Sequence, residues 1–106
     1  MTKAIFCPLK NKYFQLFSEG KKTVELRSIN SPVAKQALKH GAGSLIEMRE
    51  GYRGNKLLYK VEKIEIYDKV GDIADEVLEK ACVTRDEALS VIGEGALVAI
   101  HVRARK

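Results

Sequence analysis

Between residues 20 and 27 the chain reads Gly20-Lys21-Lys22-Thr23-Val24-Glu25-Leu26-Arg27, and the charged side chains there are spaced to work together. On a strand from Thr23 to Arg27, Val24 and Leu26 turn into the core while Thr23, Glu25 and Arg27 project from the opposite face. Glu25 and Arg27 then stand about 7 Å apart on one face, with Lys22 at the strand's entrance. A carboxylate held beside two cations can bind a base edge, hold a phosphate, or place a water for hydrolysis. A half-exposed strand carrying a plain ion-pair stripe produces the same pattern. A base role for Lys22 needs the neutral amine, and the neighbouring carboxylate favours the ammonium. The segment therefore suits holding a polar ligand better than activating a hydroxyl.

Other polar residues offer weaker chemistry. Tyr52, Arg53 and Asn55 sit in a Gly-flanked loop, where an aromatic beside a base can stack on and track a single strand, although a plain hairpin turn has the same composition. His101, Arg103 and Arg105 alternate along the last strand and would extend a phosphate track on its outward face. His40 stands beside Gly41 at a helix end, where a cation favours the helix dipole. Cys7 and Cys82 are 75 positions apart with only His40 and His101 as further soft ligands, a spacing unlike a zinc site and typical of reduced thiols. No Gly-rich phosphate loop, Ser-His-Asp set or metal box is present, so no cofactor is expected.

The elements around these residues follow from periodicity. Lys3 to Leu9 is a buried strand that Pro8 stops. Asn11 caps a helix with apolar positions Tyr13, Phe14, Leu16 and Phe17, and Gly20 stands where a C′ glycine belongs. Ser31-Pro32 reads as N-cap and N1 of a second helix, with Val33, Ala34, Ala37 and Leu38 as its buried stripe and Gly41 as terminator. Ile46 and Met48 alternate with Glu47 and Arg49 in a strand from Ser44 to Glu50, and residues 51–55 form a hairpin-like loop. Along Lys56 to Tyr67 the alternation slips. Leu57, Tyr59 and Val61 share one parity and Ile64 and Ile66 the other, which predicts a bulge near Glu62 and Lys63. Asp72 and Thr84 look like helix caps, the second completing a capping box with Glu87 before Ala88, Val91 and Ile92. Ile73, Val77 and Leu78 form an amphipathic turn or two between them. Ala96 to Arg105 ends the chain as a strand with Val98, Ile100 and Val102 inward. Five strands, one of them bulged, and three to four short helices predict an α+β fold built on a small curled β-barrel.

Length and charge bound the rest. One hundred and six residues at 11.8 kDa fit a single domain over 1–106. With 45% apolar and 31% charged residues the chain is too apolar to be disordered. Apolar runs are too short for a membrane span, and the start lacks a secretion signal, so a cytoplasmic protein is expected. Residues 68–94 hold eight acids and three bases, net −5, against +5 for the whole chain, so the remainder carries +10. A basic body of this kind attracts polyanions, nucleic acid first among them.

Gly20-x-Lys22-x-x-Glu25-x-Arg27 resembles the signature of the ASCH domain of the PUA superfamily and matches each of its fixed positions. The order of elements over about residues 3 to 67 is similar as well. The resemblance implies a five- to six-stranded curled barrel with a cleft beside the signature strand, and a role with RNA or a modified nucleoside as partner. The ligand would be held by Lys21, Lys22, Thr23, Glu25 and Arg27, with Tyr52, Arg53, Arg103 and Arg105 on a nucleic-acid surface. One similar bacterial branch hydrolyses N4-acetylcytidine with a lysine, a threonine and a glutamate. Lys22 matches that lysine, Glu25 stands where the threonine belongs, and the position of the glutamate falls at about Ala81, with Glu79 nearby. If the protein is an enzyme, Lys22 and Glu25 are its catalytic candidates, as an amidohydrolase or, alternatively, a ribonuclease.

Overall fold

The stretches of period 2 become strands and those of period 3.6 become helices in the computed structural model, which describes residues 4–104. In chain order they are β1 (Ile5–Leu9), α1 (Asn11–Ser18), β2 (Val24–Ser28), α2 (Pro32–His40), β3 (Leu45–Glu50), β4 (Lys56–Tyr67), a 3-10 turn (Val70–Asp72), α3 (Asp75–Ala81), α4 (Arg85–Ile92) and β5 (Leu97–Ala104). The strands form one mixed sheet in the order β1-β3-β4-β5-β2, with β1 and β3 parallel and the other pairs antiparallel. The expected curled α+β fold is present with five strands and four helices among the described residues, as a half-barrel whose edges β1 and β2 share no ladder.

The β4 slip is realised as a register shift against β5 between Val61 and Lys63. That bulge lets one strand keep Tyr59 and Val61 on one core while its far end turns away, which is how a long strand curls a sheet.

Two apolar cores flank the sheet. The first joins Ile5 and Cys7 of β1, Ile46 and Met48 of β3, and Val98 and Ile100 of β5 to Phe14 and Phe17 of α1 and Val33, Ala34 and Ala37 of α2. The second gathers Val24, Leu97 and Ala99 under Val77, Leu78 and Ala81 of α3 and Ala88 of α4. Leu38, expected on the buried stripe of α2, is 41% exposed, because the buried stripe runs through Val33, Ala34 and Ala37 and Leu38, a step of about 100° round the helix from Ala37, falls on its flank.

Local signals act largely as read. Ser31 Oγ accepts from Ala34 N at 3.2 Å with Pro32 at N1, and the Thr84–Glu87 capping box is complete. Gly20 has φ +78°, a conformation that favours glycine, and α1 ends on it. Three expectations need correction. Pro8 does not stop β1 but lies within it. Phe6 N, two residues earlier, donates to Gln36 Oε1 across the strand's free edge, so the missing N–H of Pro8 faces that same edge and no ladder bond is lost. Asn11 is the first helical residue, not the cap, and its side chain donates instead to Glu50 Oε2. Asp72 closes the 3-10 turn, and α3 starts three residues later on an Ala74 cap.

Candidate functional site

The signature strand is buried on both faces. Register pairs Glu25 with Ile100 and Arg27 with Val98, so the carboxylate and guanidinium share the face of the first core. Val24 lies in the second core, and Leu26 packs against it. The polar side of β2 thus lines the inside of the half-barrel's open seam, where an exposed ion-pair stripe was the simpler expectation. Lys22 is 3% exposed and Glu25 7%. Arg27 is partly exposed at the mouth.

These three side chains form one connected network. Lys22 Nζ donates to the Ala81 carbonyl at 2.5 Å and stands 3.4 Å from Glu25 Oε1. It also lies 5.3 Å from the ring centroids of both Tyr13 and Phe17, an arrangement in which the rings' faces attract the cation. Arg27 Nε donates to Glu25 Oε2 at 2.6 Å. Arg27 Nη2 then crosses the seam to the Pro8 carbonyl at 2.7 Å and to Cys7 Sγ at 3.5 Å. Both carboxylate oxygens are held by cations, and no acceptor among the described residues meets Arg27 Nη1. Net charge at the seam is +1, with donor capacity left over on Arg27 and Lys22.

Electrostatics around Arg27 follow from that contact set. Burial pulls the guanidinium down, but the raising contributions, the Glu25 charge first among them, together outweigh it and hold Arg27 above its ordinary value. Burial, aided by the Glu25 charge, pushes the Cys7 thiol up to about 12 against the pull of Arg27 and Lys22. Cys7 is therefore a neutral, inert packing group beneath the site.

Above this network opens a cleft of about 320 Å³, walled by Pro8, Leu9 and Lys10 on one side, Tyr13 next to Lys22, and Val83, Val91 and Ile92 on the other. Its size lies at the low end of small-molecule sites, which run about 300–1,000 Å³. Of the residues expected to hold a ligand, Lys22, Glu25 and Arg27 line it; Lys21 and Thr23 do not. Lys21 projects outward to Glu19 at 3.5 Å. Thr23 is tied by its backbone to Lys80 and Val102. Among the described residues, no group of three or more His, Cys, Asp or Glu is placed to hold a metal ion.

The outlying residues divide. Tyr52 and Arg53 are exposed in the β3–β4 hairpin loop, whose Gly51 N donates to the Leu9 carbonyl on the rim of the cleft. Arg103 is exposed and pairs with Glu62 at 3.0 Å on β4, outside the cleft lining. Arg105 lies outside the described residues. His101 does point away from Val98 and Ile100, but that face is covered. It is 7% exposed and bound to Glu65 Oε1 at 2.6 Å, so it cannot serve a phosphate track. Sequence reasoning did not single out Tyr13, Val83 and Val91 as site residues. Tyr13 was legible only as a helix-stripe position, and nothing local places α4 across the cleft.

Comparison with solved structures supports the ASCH-type, PUA-like fold. The chain superposes on the ASCH protein of Zymomonas mobilis with a TM-score of 0.72 at 17% identity, over 95% of this chain and 67% of that one. A protein from Enterococcus faecalis gives 0.72 at 14% identity, over 99% and 77%. A protein from Pyrococcus furiosus gives 0.58 at 21%, over 95% and 96%. No family model and no curated protein matches the sequence. The likeness is one of fold. Among the described residues no helix is long and apolar enough to cross a membrane.

Proposed function

We propose that the cleft binds a nucleobase, as a nucleoside-like ligand or as one nucleotide of an RNA. The observation that carries this reading is the convergence of Lys22, Glu25 and Arg27 at the base of a cleft whose walls are mostly apolar, with Lys10 and Glu87 as their charged members. A base is flat and apolar on its faces and polar on its edge. Leu9, Val83 and Ile92 offer surface for the faces, and Arg27 Nη1 and the remaining Lys22 proton offer donors to a ring carbonyl. Glu25 orients both cations and keeps acceptor capacity for an exocyclic amine, the pairing that carboxylates make with cytosine. Lys10 on the wall and the +10 charge outside residues 68–94 favour a phosphate beyond the base. Anisotropy titration of short labelled RNAs tests the reading. Affinity falls as salt rises and drops in Arg27→Ala; no binding to nucleosides or RNA at low salt overturns it.

A second reading is favoured by the nucleoside scale of the cleft together with the buried Lys22–Glu25 pair: hydrolysis of N4-acetylcytidine or a related acylated nucleoside. Because Thr23 does not line the cleft, the nucleophile would be a water, with Lys22 or Arg27 facing the developing oxyanion. Release of cytidine from N4-acetylcytidine, abolished in Lys22→Ala, is the expected outcome under this reading. No turnover by folded protein removes it. The same variant on an RNA ladder tests ribonuclease activity.

A further inference from the structure

Tyr52 is 76% exposed at the tip of the β3–β4 hairpin, where its ring is open to a flat partner. Its ring lies 6.0 Å from that of Phe6 at an interplanar angle of 35°. Arg49 stands 5.9 Å from the Phe6 centroid and is fixed there by Glu47 at 2.5 Å. Phe6 thus supports Tyr52 from beneath.

The hairpin presenting the ring is tied down. Glu50 N donates to the Asn55 carbonyl, Gly54 N to the Glu50 carbonyl, and Gly51 N to the Leu9 carbonyl on β1. A Cβ on Gly54 would meet the Glu50 carbonyl oxygen at 2.4 Å, so the tight turn requires glycine. The platform is also continuous with the cleft. Leu9 is both a wall residue and, through its carbonyl, the anchor of the hairpin. The surrounding charge is positive: Arg53 and Lys56 on the hairpin and Lys10 on the cleft wall lie beyond ion-pair reach of any carboxylate among the described residues.

We infer that Tyr52 is a stacking platform for the base next to the one in the cleft, so that the protein's ligand is a single-stranded oligonucleotide spanning both, with Lys10, Arg53 and Lys56 tracking its backbone. The inference rests on the nucleobase reading of the cleft and deepens it from a nucleoside to a strand of at least two nucleotides. Stacking on an aromatic ring tolerates any base and requires an unpaired one, which excludes a duplex as the bound form. Whether the strand is RNA or DNA depends on the sugar, so both are tested.

The experiment compares a nucleoside monophosphate with a trinucleotide, as RNA and as DNA, on wild type, Tyr52→Ala, Tyr52→Leu and Arg27→Ala. The trinucleotide binds more tightly than the monophosphate to wild type. Tyr52→Ala and Tyr52→Leu, the second keeping apolar cover over Phe6, lose roughly 5- to 150-fold in trinucleotide affinity and nothing in monophosphate affinity. The chain contains no tryptophan, so Tyr52→Trp adds a single indole whose fluorescence is quenched by the trinucleotide and unchanged by the monophosphate. Equal affinity of wild type for monophosphate and trinucleotide, or an unchanged trinucleotide affinity in Tyr52→Leu, overturns the platform and leaves the cleft reading standing. Loss in both Tyr52→Leu and Arg27→Ala supports the span, whereas loss in Tyr52→Leu with no loss in Arg27→Ala overturns the cleft reading and, with it, a strand that spans both.

Discussion

Arg27 donates from Nη2 to the Pro8 carbonyl at 2.7 Å, joining two edge strands that exchange no backbone hydrogen bond. A side chain closes the seam that a sixth strand or a full barrel ladder would otherwise close. Because β1 carries a proline at this point, its free edge offers only the carbonyl, and a cationic donor is the fitting partner. The same guanidinium holds Glu25 at 2.6 Å, so closure of the sheet and assembly of the site are one contact.

Arg27→Ala should therefore weaken the fold as well as the site. Loss of bonds to Glu25 and to the Pro8 carbonyl predicts about 1–3 kcal/mol of destabilisation by urea unfolding. Arg27→Lys restores one partner at a time, since an ammonium lacks the planar fork, and should fall between wild type and the alanine variant.

Lys22→Met removes the buried cation that satisfies both the Ala81 carbonyl and Glu25 Oε1. Breaking one partner of a buried pair costs about 3–5 kcal/mol. Unfolding of Lys22→Met within 1 kcal/mol of wild type (about the size of one ordinary hydrogen bond) would show that water replaces the ammonium and that the seam is wetter than described.

The Cys7 thiol, raised by burial to about 12 from an ordinary 9.0, predicts a pH window for stability. Below pH 9 the thiol is neutral in folded and unfolded chains and its contribution is complete. Between pH 9.0 and about 12 the unfolded chain loses the proton and the folded chain keeps it, so stability falls with a limiting slope of about 1.4 kcal/mol per pH unit. Cys7→Ala should flatten that part of the curve. In native protein at pH 8 iodoacetamide should label Cys82 and spare buried Cys7; rapid double labelling would contradict the burial.

On the opposite face, burial pushes the Glu65 carboxyl up, but the His101 hydrogen bond and charge, helped by the Tyr67 hydroxyl, hold it below the usual carboxylate range. A lowered carboxyl contributes stability that is present above its unfolded pKa and lost as pH falls through the folded one. His101→Gln should move the Glu65 titration upward, read by NMR of the side-chain carboxyl carbon. An unchanged titration would show that the Tyr67 hydroxyl alone sets it.

Most elements were legible where the cause is local, although Pro8, Asn11 and Asp72 misled as a stop and two caps. The parity slip between Val61 and Ile64 located the bulge, because a two-residue period cannot shift faces without an extra residue. Ser31-Pro32 and Thr84-x-x-Glu87 marked helix starts, because a cap satisfies backbone donors within three residues of itself. Spacing also placed Glu25 and Arg27 together on one face of β2.

What covers each face was decided by long-range pairing. Alternation assigns side chains to two sides of a strand without saying which side meets water. The register of β2 on β5 turned Glu25 and Arg27 inward beside Ile100 and Val98, and α3 carried the Ala81 carbonyl to Lys22 across 59 positions of sequence. His101 has the same history: it alternates away from Val98 and Ile100, yet it is buried on a Glu65 that follows the bulge in β4. The motif residues and their common face belong to the chain's covalent order. Their burial, their partners and the cleft above them exist only because the sheet curls until β1 and β2 face each other across a seam that a side chain has to span.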